Sequence, residues 1–345
     1  MIPLNRRFAA KGAVLFAAVL AAGCTPPQSS TTSTTGTGTA PASDASPSTT
    51  GKRLNIAVIP KGTTHEFWKS VHAGAEKAAK ELDVDITWKG PLQENDRAQQ
   101  IAIVDQFVSD NVSAIALAPL DDTALVKPVK SAIDKKIPVI IFDSALKGEA
   151  GKDFSSLVST NNYKGGTIGG EALVKLLGGK GKVVLLRYQE GSASTQEREN
   201  GFTDVIKKNP GITLTVDNRF SGPTVSDAKT ASMQMIDKLK EADGIFCPNE
   251  SSTFGMLLAL RQNNLAGKVK FVGFDTSPSL IEGLKKGEVQ ALVAQNPSNM
   301  GYQAVKAAVG QLKGEKLPPS VDTGVKLIEP SNIESDEVKT LLGGA

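Results

Sequence analysis

The sequence predicts an α/β protein built as two doubly wound parallel-sheet lobes. Three observations carry this. Short apolar runs rich in β-branched residues alternate with longer stretches of helical periodicity, the pattern of βαβ units. Most of these runs are apolar at nearly every position, as a strand covered on both faces requires. After Ser159 the alternation starts again, and 345 residues leave room for a second lobe. The repeat is architectural, without strong residue-level periodicity.

The elements follow in order. Leu54, Ile56, Val58 and Ile59 make the first strand, which Pro60 and Gly62 end. Thr63 or Thr64 can cap the next helix, with Glu66 in its first turn, where an acid suits the dipole. Phe67, Val71, Ala75, Ala78 and Leu82 give that helix its apolar stripe. A strand is expected over 84–88. Asn95 or Asp96 then caps a helix with Ile101, Val104, Phe107 and Val108 inward. Strands follow over 114–117, 138–142 and 157–159, with a helix beginning at Asp121-Asp122 between the first two. The second half opens on a helix over 161–178, whose Gly165, Gly166, Gly169 and Gly170 permit close packing. Strands are then expected over 183–186, 212–216, 244–247, 270–274, 290–294 and 325–328. Helices over 225–241 and 251–264 separate some of them, and Pro297 opens another, where its missing N–H costs little.

Composition excludes several classes. The apolar share of 40% and charged share of 22% are ordinary globular usage. The formal charge of +3 arises from Arg6, Arg7 and Lys11. Without those three of 39 basic residues, 36 remain against 36 acidic ones, so no polyanion or nucleic-acid partner is implied. Two cysteines exclude a disulfide-dense scaffold.

The first 23 residues form an addressing signal, with Arg6, Arg7 and Lys11 as a positive region and an apolar stretch over 12–23, short for a membrane span. It ends in Leu20-Ala21-Ala22-Gly23-Cys24, which resembles a bacterial lipobox. There Leu usually stands where this chain has Ala21, one residue after Leu20. The resemblance implies a signal peptide over 1–23 and a lipidated Cys24, hence a membrane anchor. Residues 24–52 are rich in Ser, Thr, Pro, Gly and Ala and read as a flexible tether.

Several strands end in a polar residue: Asp143, Asn249, Asp275 and Gln295, with Arg198 just after a loop. One such residue is usually a helix cap or a satisfied turn. Five at carboxyl strand ends face one crevice. Carboxylate and guanidinium groups take neighbouring hydroxyls in pairs, and the aromatic pair Phe67-Trp68 can cover an apolar ring face, so the set fits a neutral polyhydroxylated ligand. Other chemistries fit poorly. His65-Glu66-Phe67-Trp68-Lys69 has Lys69 where a zinc-protease helix needs its second His, so no metal is implied. The glycines over 165–170 lie inside a helix rather than directly after a strand, unlike a dinucleotide fingerprint, and no cofactor is implied.

Taken together, Phe67-Trp68, Ile141-Phe142-Asp143, Arg198-Glu199-Asn200-Gly201-Phe202, Asn249-Glu250, Val272-Gly273-Phe274-Asp275 and Ala294-Gln295 resemble, in order and spacing, the periplasmic sugar-binding proteins of ABC transporters of the ribose-binding type. The resemblance spans about residues 54–330. It implies a type I periplasmic binding protein fold with a three-segment hinge, and lobes comprising 53–160 plus 296–322 and 161–295 plus 323–345. It implies that Phe67 and Trp68 stack on a sugar, that Asp143, Arg198, Asn249, Asp275 and Gln295 bond its hydroxyls, and that Phe220 adds a stacking face. Ribose binders commonly have Asn where this chain has His65 and Arg where it has Ser144. Both positions are candidate ligand contacts, and a pentose, a hexose or another polyol fits. The implied protein is an extracytoplasmic monomer, not an enzyme, that hands its sugar to the permease subunits of an ABC importer. A sugar-sensing module feeding a chemoreceptor or kinase is the second reading, and an enzyme acting on glycosides the third.

Overall fold

In the computed structural model, the structure describes residues 53–342. The signal peptide, Cys24 and the tether lie outside the described residues.

Alternating apolar strands and helices wind the first half into β1 (Asn55–Ile59), α1 (Glu66–Leu82), β2 (Asp85–Trp88), α2 (Arg97–Ser109), β3 (Ala114–Leu117), α3 (Val126–Asp134), β4 (Val139–Phe142) and β5 (Ser156–Ser159). The second half contains α4 (Asn162–Leu177), β6 (Gly181–Arg187), α5 (Ala193–Lys207), β7 (Ile212–Phe220), α6 (Val225–Gln234), α7 (Ile236–Glu241), β8 (Gly244–Phe246), α8 (Glu250–Gln262), β9 (Lys270–Phe274), α9 (Pro278–Lys285) and β10 (Ala291–Gln295). The chain then returns through α10 (Pro297–Leu312) and β11 (Ser320–Asp322), and ends in β12 (Val325–Ile328) and α11 (Asp336–Leu341).

Two sheets result, in the orders β11-β5-β4-β3-β1-β2 and β12-β10-β9-β8-β6-β7. Each is the floor of one α/β lobe, and the chain passes between the sheets after β5, after β10 and between β11 and β12. Successive strand residues point to opposite faces, so each sheet has a core on both sides. Ile56, Val58, Ile140 and Phe142 face the layer containing α1 and α10, while Ala57, Ile59, Val139 and Ile141 face that of α2 and α3. This double burial is why the strands read as continuous apolar runs.

The sheets are parallel except that β12 pairs antiparallel with β10. The parallel expectation is corrected there for a topological reason. The carboxyl ends of the parallel strands face the crevice, and β11 delivers the chain to that crevice. A direct crossing enters the second sheet at its carboxyl edge and must run backwards.

Three local expectations also differ. The stripe of α1 begins at Trp68, not Phe67: Trp68, Val71, Ala75 and Ala78 are buried, and Phe67 is left on the rim. The helix expected at Asp121-Asp122 starts at Val126, because the Asp121 carboxylate accepts the Thr123 and Ala124 amides and makes a turn. The helix over 225–241 breaks at Met235, just after Ser232 turns its hydroxyl back onto the Ala228 carbonyl, a bond that bends helices. β11, with three residues, is too short for periodicity to show.

In the second lobe α4 crosses α5 with backbones in contact. A Cβ at Gly166 would overlap the Arg198 carbonyl, and one at Gly201 would overlap the Tyr163 carbonyl. Only glycine permits this approach, and it fixes the helix that carries Arg198.

Candidate functional site

The carboxyl ends of both sheets meet across one crevice, the place where open α/β sheets bind ligands. Two strand ends share a device. Asp143 and Asp275 directly follow β4 and β9 and both adopt left-handed backbone, φ 63° and 71°. This conformation is uncommon for a residue with a Cβ, though Asp tolerates it better than most. It ends each strand abruptly and turns each carboxylate toward the crevice.

His65, Phe67, Trp68, Asp143, Arg198, Asn249, Asp275 and Gln295 all line one small cavity there. Its volume of about 30 Å³ is room for about one or two waters. A larger cleft of about 350 Å³ adjoins it and shares Phe67, Glu250, Asp275 and Gln295. The lobes are closed on one another, and a sugar enters only if they part.

Arg198 is the centre of the second lobe's wall and is 2% exposed. Its Nε donates to Asn162 Oδ1 at 2.9 Å, one Nη donates to the Pro248 carbonyl at 2.9 Å, and the guanidinium lies 4.0 Å over the Phe274 ring. Burial lowers its pKa, and Asp275 and Asp143 push it back up. Asp275 accepts from Gln295 Nε2 at 2.7 Å and from the Glu250 amide at 2.8 Å. Burial raises its carboxyl above the ordinary range, against the pull of Arg198. Gln295 is itself held at the hinge by the Thr160 hydroxyl at 2.9 Å. Among the described residues neither aspartate forms an ion pair with Arg198. The three charges are spaced around the cavity, with hydrogen-bonding capacity left on each. A hydroxyl can donate to a carboxylate and accept from the guanidinium at once, so this row suits a polyol.

The other expected residues are placed differently from one another. Asn249 caps α8 in a box with Ser252, so much of its amide is engaged locally. Trp68 forms the apolar wall, its ring edge-on to Phe67 and its Nε1 donating to Glu94 at 2.8 Å. His65 reaches the cavity, yet both its nitrogens face protein acceptors, Glu94 at 2.8 Å and the Pro223 carbonyl at 3.1 Å. Ser144 and Phe220 are not brought into the cavity lining. Ser144 is buried, but its hydroxyl accepts the Ser194 amide and does not line the cavity. Phe220 ends the edge strand β7, is 42% exposed and lies outside the lining. An edge strand has one neighbour, and its last residue projects past it.

Five lining residues were not anticipated: Lys61, Glu94, Ser194, Thr195 and Glu250. Lys61 pairs with Asp143 at 2.9 Å and reaches across to Ser194 at 2.9 Å. Glu250 accepts the Glu66 and Phe67 amides, capping α1 from the opposite lobe. Glu94 also accepts from Tyr188 of the opposite lobe at 2.9 Å. Their signal was position, since Lys61 follows Pro60 at the end of β1 and Glu250 follows Asn249.

This architecture is shared with known proteins. Residues 56–316 match the family model described as periplasmic binding protein domain. The ribose import binding protein RbsB of Salmonella typhimurium is 30% identical over 280 residues, covering 79% of this chain and 90% of that protein. A carbohydrate transporter solute binding protein from Agrobacterium radiobacter, solved in complex with D-arabinose, superposes with a TM-score of 0.80 at 32% identity, covering 84% of this chain and 99% of that one. A solute binding protein of an ABC transporter from Agrobacterium vitis with bound D-fucose gives 0.80 at 34% identity, covering 83% and 98%. Two lobes on mainly parallel sheets, a crevice at their carboxyl edges and a family match across most of the folded chain lead to one conclusion: the chain belongs to the periplasmic binding protein family.

Proposed function

We propose that this protein is an extracytoplasmic solute-binding protein that captures a sugar between its lobes and delivers it to an ABC importer. One observation carries the proposal. Asp143 from the first lobe and Arg198 and Asp275 from the second line one cavity, with hydroxyl-binding capacity facing inward. A relative named as a ribose import binding protein and two solved structures with bound D-arabinose and D-fucose support the same ligand class. The ligand is a pentose, a hexose or a related polyol, taken up without chemical change. The strand orders support lobes of 53–160 plus 296–322 and 161–295 plus 323–345. Among the described residues no helix is long and apolar enough to cross a membrane, and attachment falls to Cys24.

Two outcomes test this. In a thermal-shift screen with D-ribose, D-allose, D-arabinose, D-fucose and sugar alcohols, at least one compound raises the melting temperature. At one hundred times Kd the gain is about 2.7 kcal/mol, a rise of several degrees. A response to amino acids alone would defeat the sugar assignment. Cys24→Ser moves the protein from the membrane to the soluble fraction. Unchanged fractionation would leave the anchor unsupported.

A further inference from the structure

His65 joins the two lobes. Nδ1 lies 2.8 Å from Glu94 Oε1 in the first lobe, and Nε2 lies 3.1 Å from the Pro223 carbonyl in the second. A carbonyl oxygen only accepts, so Nε2 carries a proton. The contact with Glu94 holds a proton too, whether it resides on Nδ1 or on Oε1. The pair therefore carries two protons in the closed form. When the lobes part, His65 keeps Glu94 and loses Pro223. One shared proton then suffices, because a bare Nε2 facing water accepts from solvent.

We propose that His65 is a positioning residue for closure, and that its second proton is taken up as the lobes close on a sugar. Sugar affinity is then linked to pH. The inference rests on the sugar-binding reading.

The charges around the ring favour this. Burial disfavours the imidazolium, but Glu94 by charge and hydrogen bond, Glu250 by charge and the Pro223 carbonyl outweigh it and raise His65 to about 9. Burial likewise raises Glu94, and His65, Lys61 and the Trp68 N–H override it, lowering the carboxyl to about 2. Lys61 and, from the second lobe, Arg198 line the same cavity and oppose a proton on His65, while Asp143 pairs with Lys61. Tyr188 donates to Glu94. Its phenol is pushed far up by burial, then by Glu94, Asp143 and Asp227, and stays neutral through the range. Glu250 and Pro223 belong to the second lobe and act on His65 only in the closed form. Both raise its pKa there, against the burial that closure adds, and the proton that the Pro223 carbonyl requires on Nε2 in the closed form sets the sign: the closed value exceeds the open one. The sign follows. The contribution to closure is complete below the open-form pKa and is lost as pH rises through about 9. Between the two values, affinity weakens by up to about tenfold per pH unit.

The test is calorimetry with the sugar that gives the largest thermal shift, in buffers of different ionisation heat, between about pH 6 and about pH 10. Proton NMR follows His65 and His72, the only histidines in the chain, with and without sugar. The expected results are net proton uptake on binding and a His65 resonance that titrates higher with sugar present. Both disappear in His65→Gln and persist in His72→Gln, since His72 stacks on Trp88 away from the cavity. Binding with no proton uptake, or a wild-type His65 titration unmoved by sugar, overturns the inference while the sugar reading stands. If no sugar in the panel binds, both fall together.

Discussion

Arg198→Ala is expected to abolish sugar binding at ordinary working concentrations. The guanidinium is buried, held by Asn162 and Pro248, and faces a cavity flanked by Asp143 and Asp275. Removing it takes away the donor a hydroxyl would accept from and the nearby charge that favours the buried Asp275 carboxylate, while Asp143 keeps Lys61. A hydrogen bond to a charged group is worth about 1.5–3 kcal/mol, or roughly tenfold to more than a hundredfold in Kd. Arg198→Lys keeps the charge but loses the planar fork that reaches Asn162 and Pro248 together, so it binds weakly as well. Calorimetry decides: a Kd for Arg198→Ala within about threefold of wild type would remove Arg198 from the site.

Gly166→Ala is expected to destabilise the second lobe and weaken binding together. The added methyl would overlap the Arg198 backbone carbonyl across the α4–α5 crossing. Neither helix can retreat without moving the residue just described. Overpacking of this kind costs about 1–3 kcal/mol, and backbone against backbone belongs at the upper end. Denaturant unfolding and a sugar titration check both effects. A variant as stable and as tight as wild type would show that the helices do not touch there.

Much of this was legible in the sequence, for physical reasons. Doubly covered strands announce themselves as unbroken apolar runs, and 114–117 and 270–274 coincide with β3 and β9. Strand-end aspartates were visible because a polar residue directly after such a run has little else to do than turn. The same logic should have caught Lys61 and Glu250, but a lysine or glutamate beside a loop usually faces solvent, and their partners, Asp143 and Ser194 for Lys61 and the Glu66 and Phe67 amides for Glu250, are distant in sequence. Contacts between lobes have no local periodicity, so the engagement of His65 with Pro223 and of Ser144 with Ser194 could not be read from spacing. Phe220 lies outside the lining, and aromatic character says nothing about which side of an edge strand faces the crevice. Phe67 and Trp68 stand four and three residues before Val71, so helical periodicity alone does not choose which of them joins the buried stripe.

The central claim is that groups from both lobes grip one sugar at the same time. The crystal structure of the protein with the sugar selected by thermal shift tests it most directly. The account predicts a single sugar in the crevice, its hydroxyls within hydrogen-bond distance of Asp143 on one side and of Arg198 and Asp275 on the other, with its ring face against Phe67 and Trp68. A sugar held by one lobe alone, or bound away from these side chains, would contradict it.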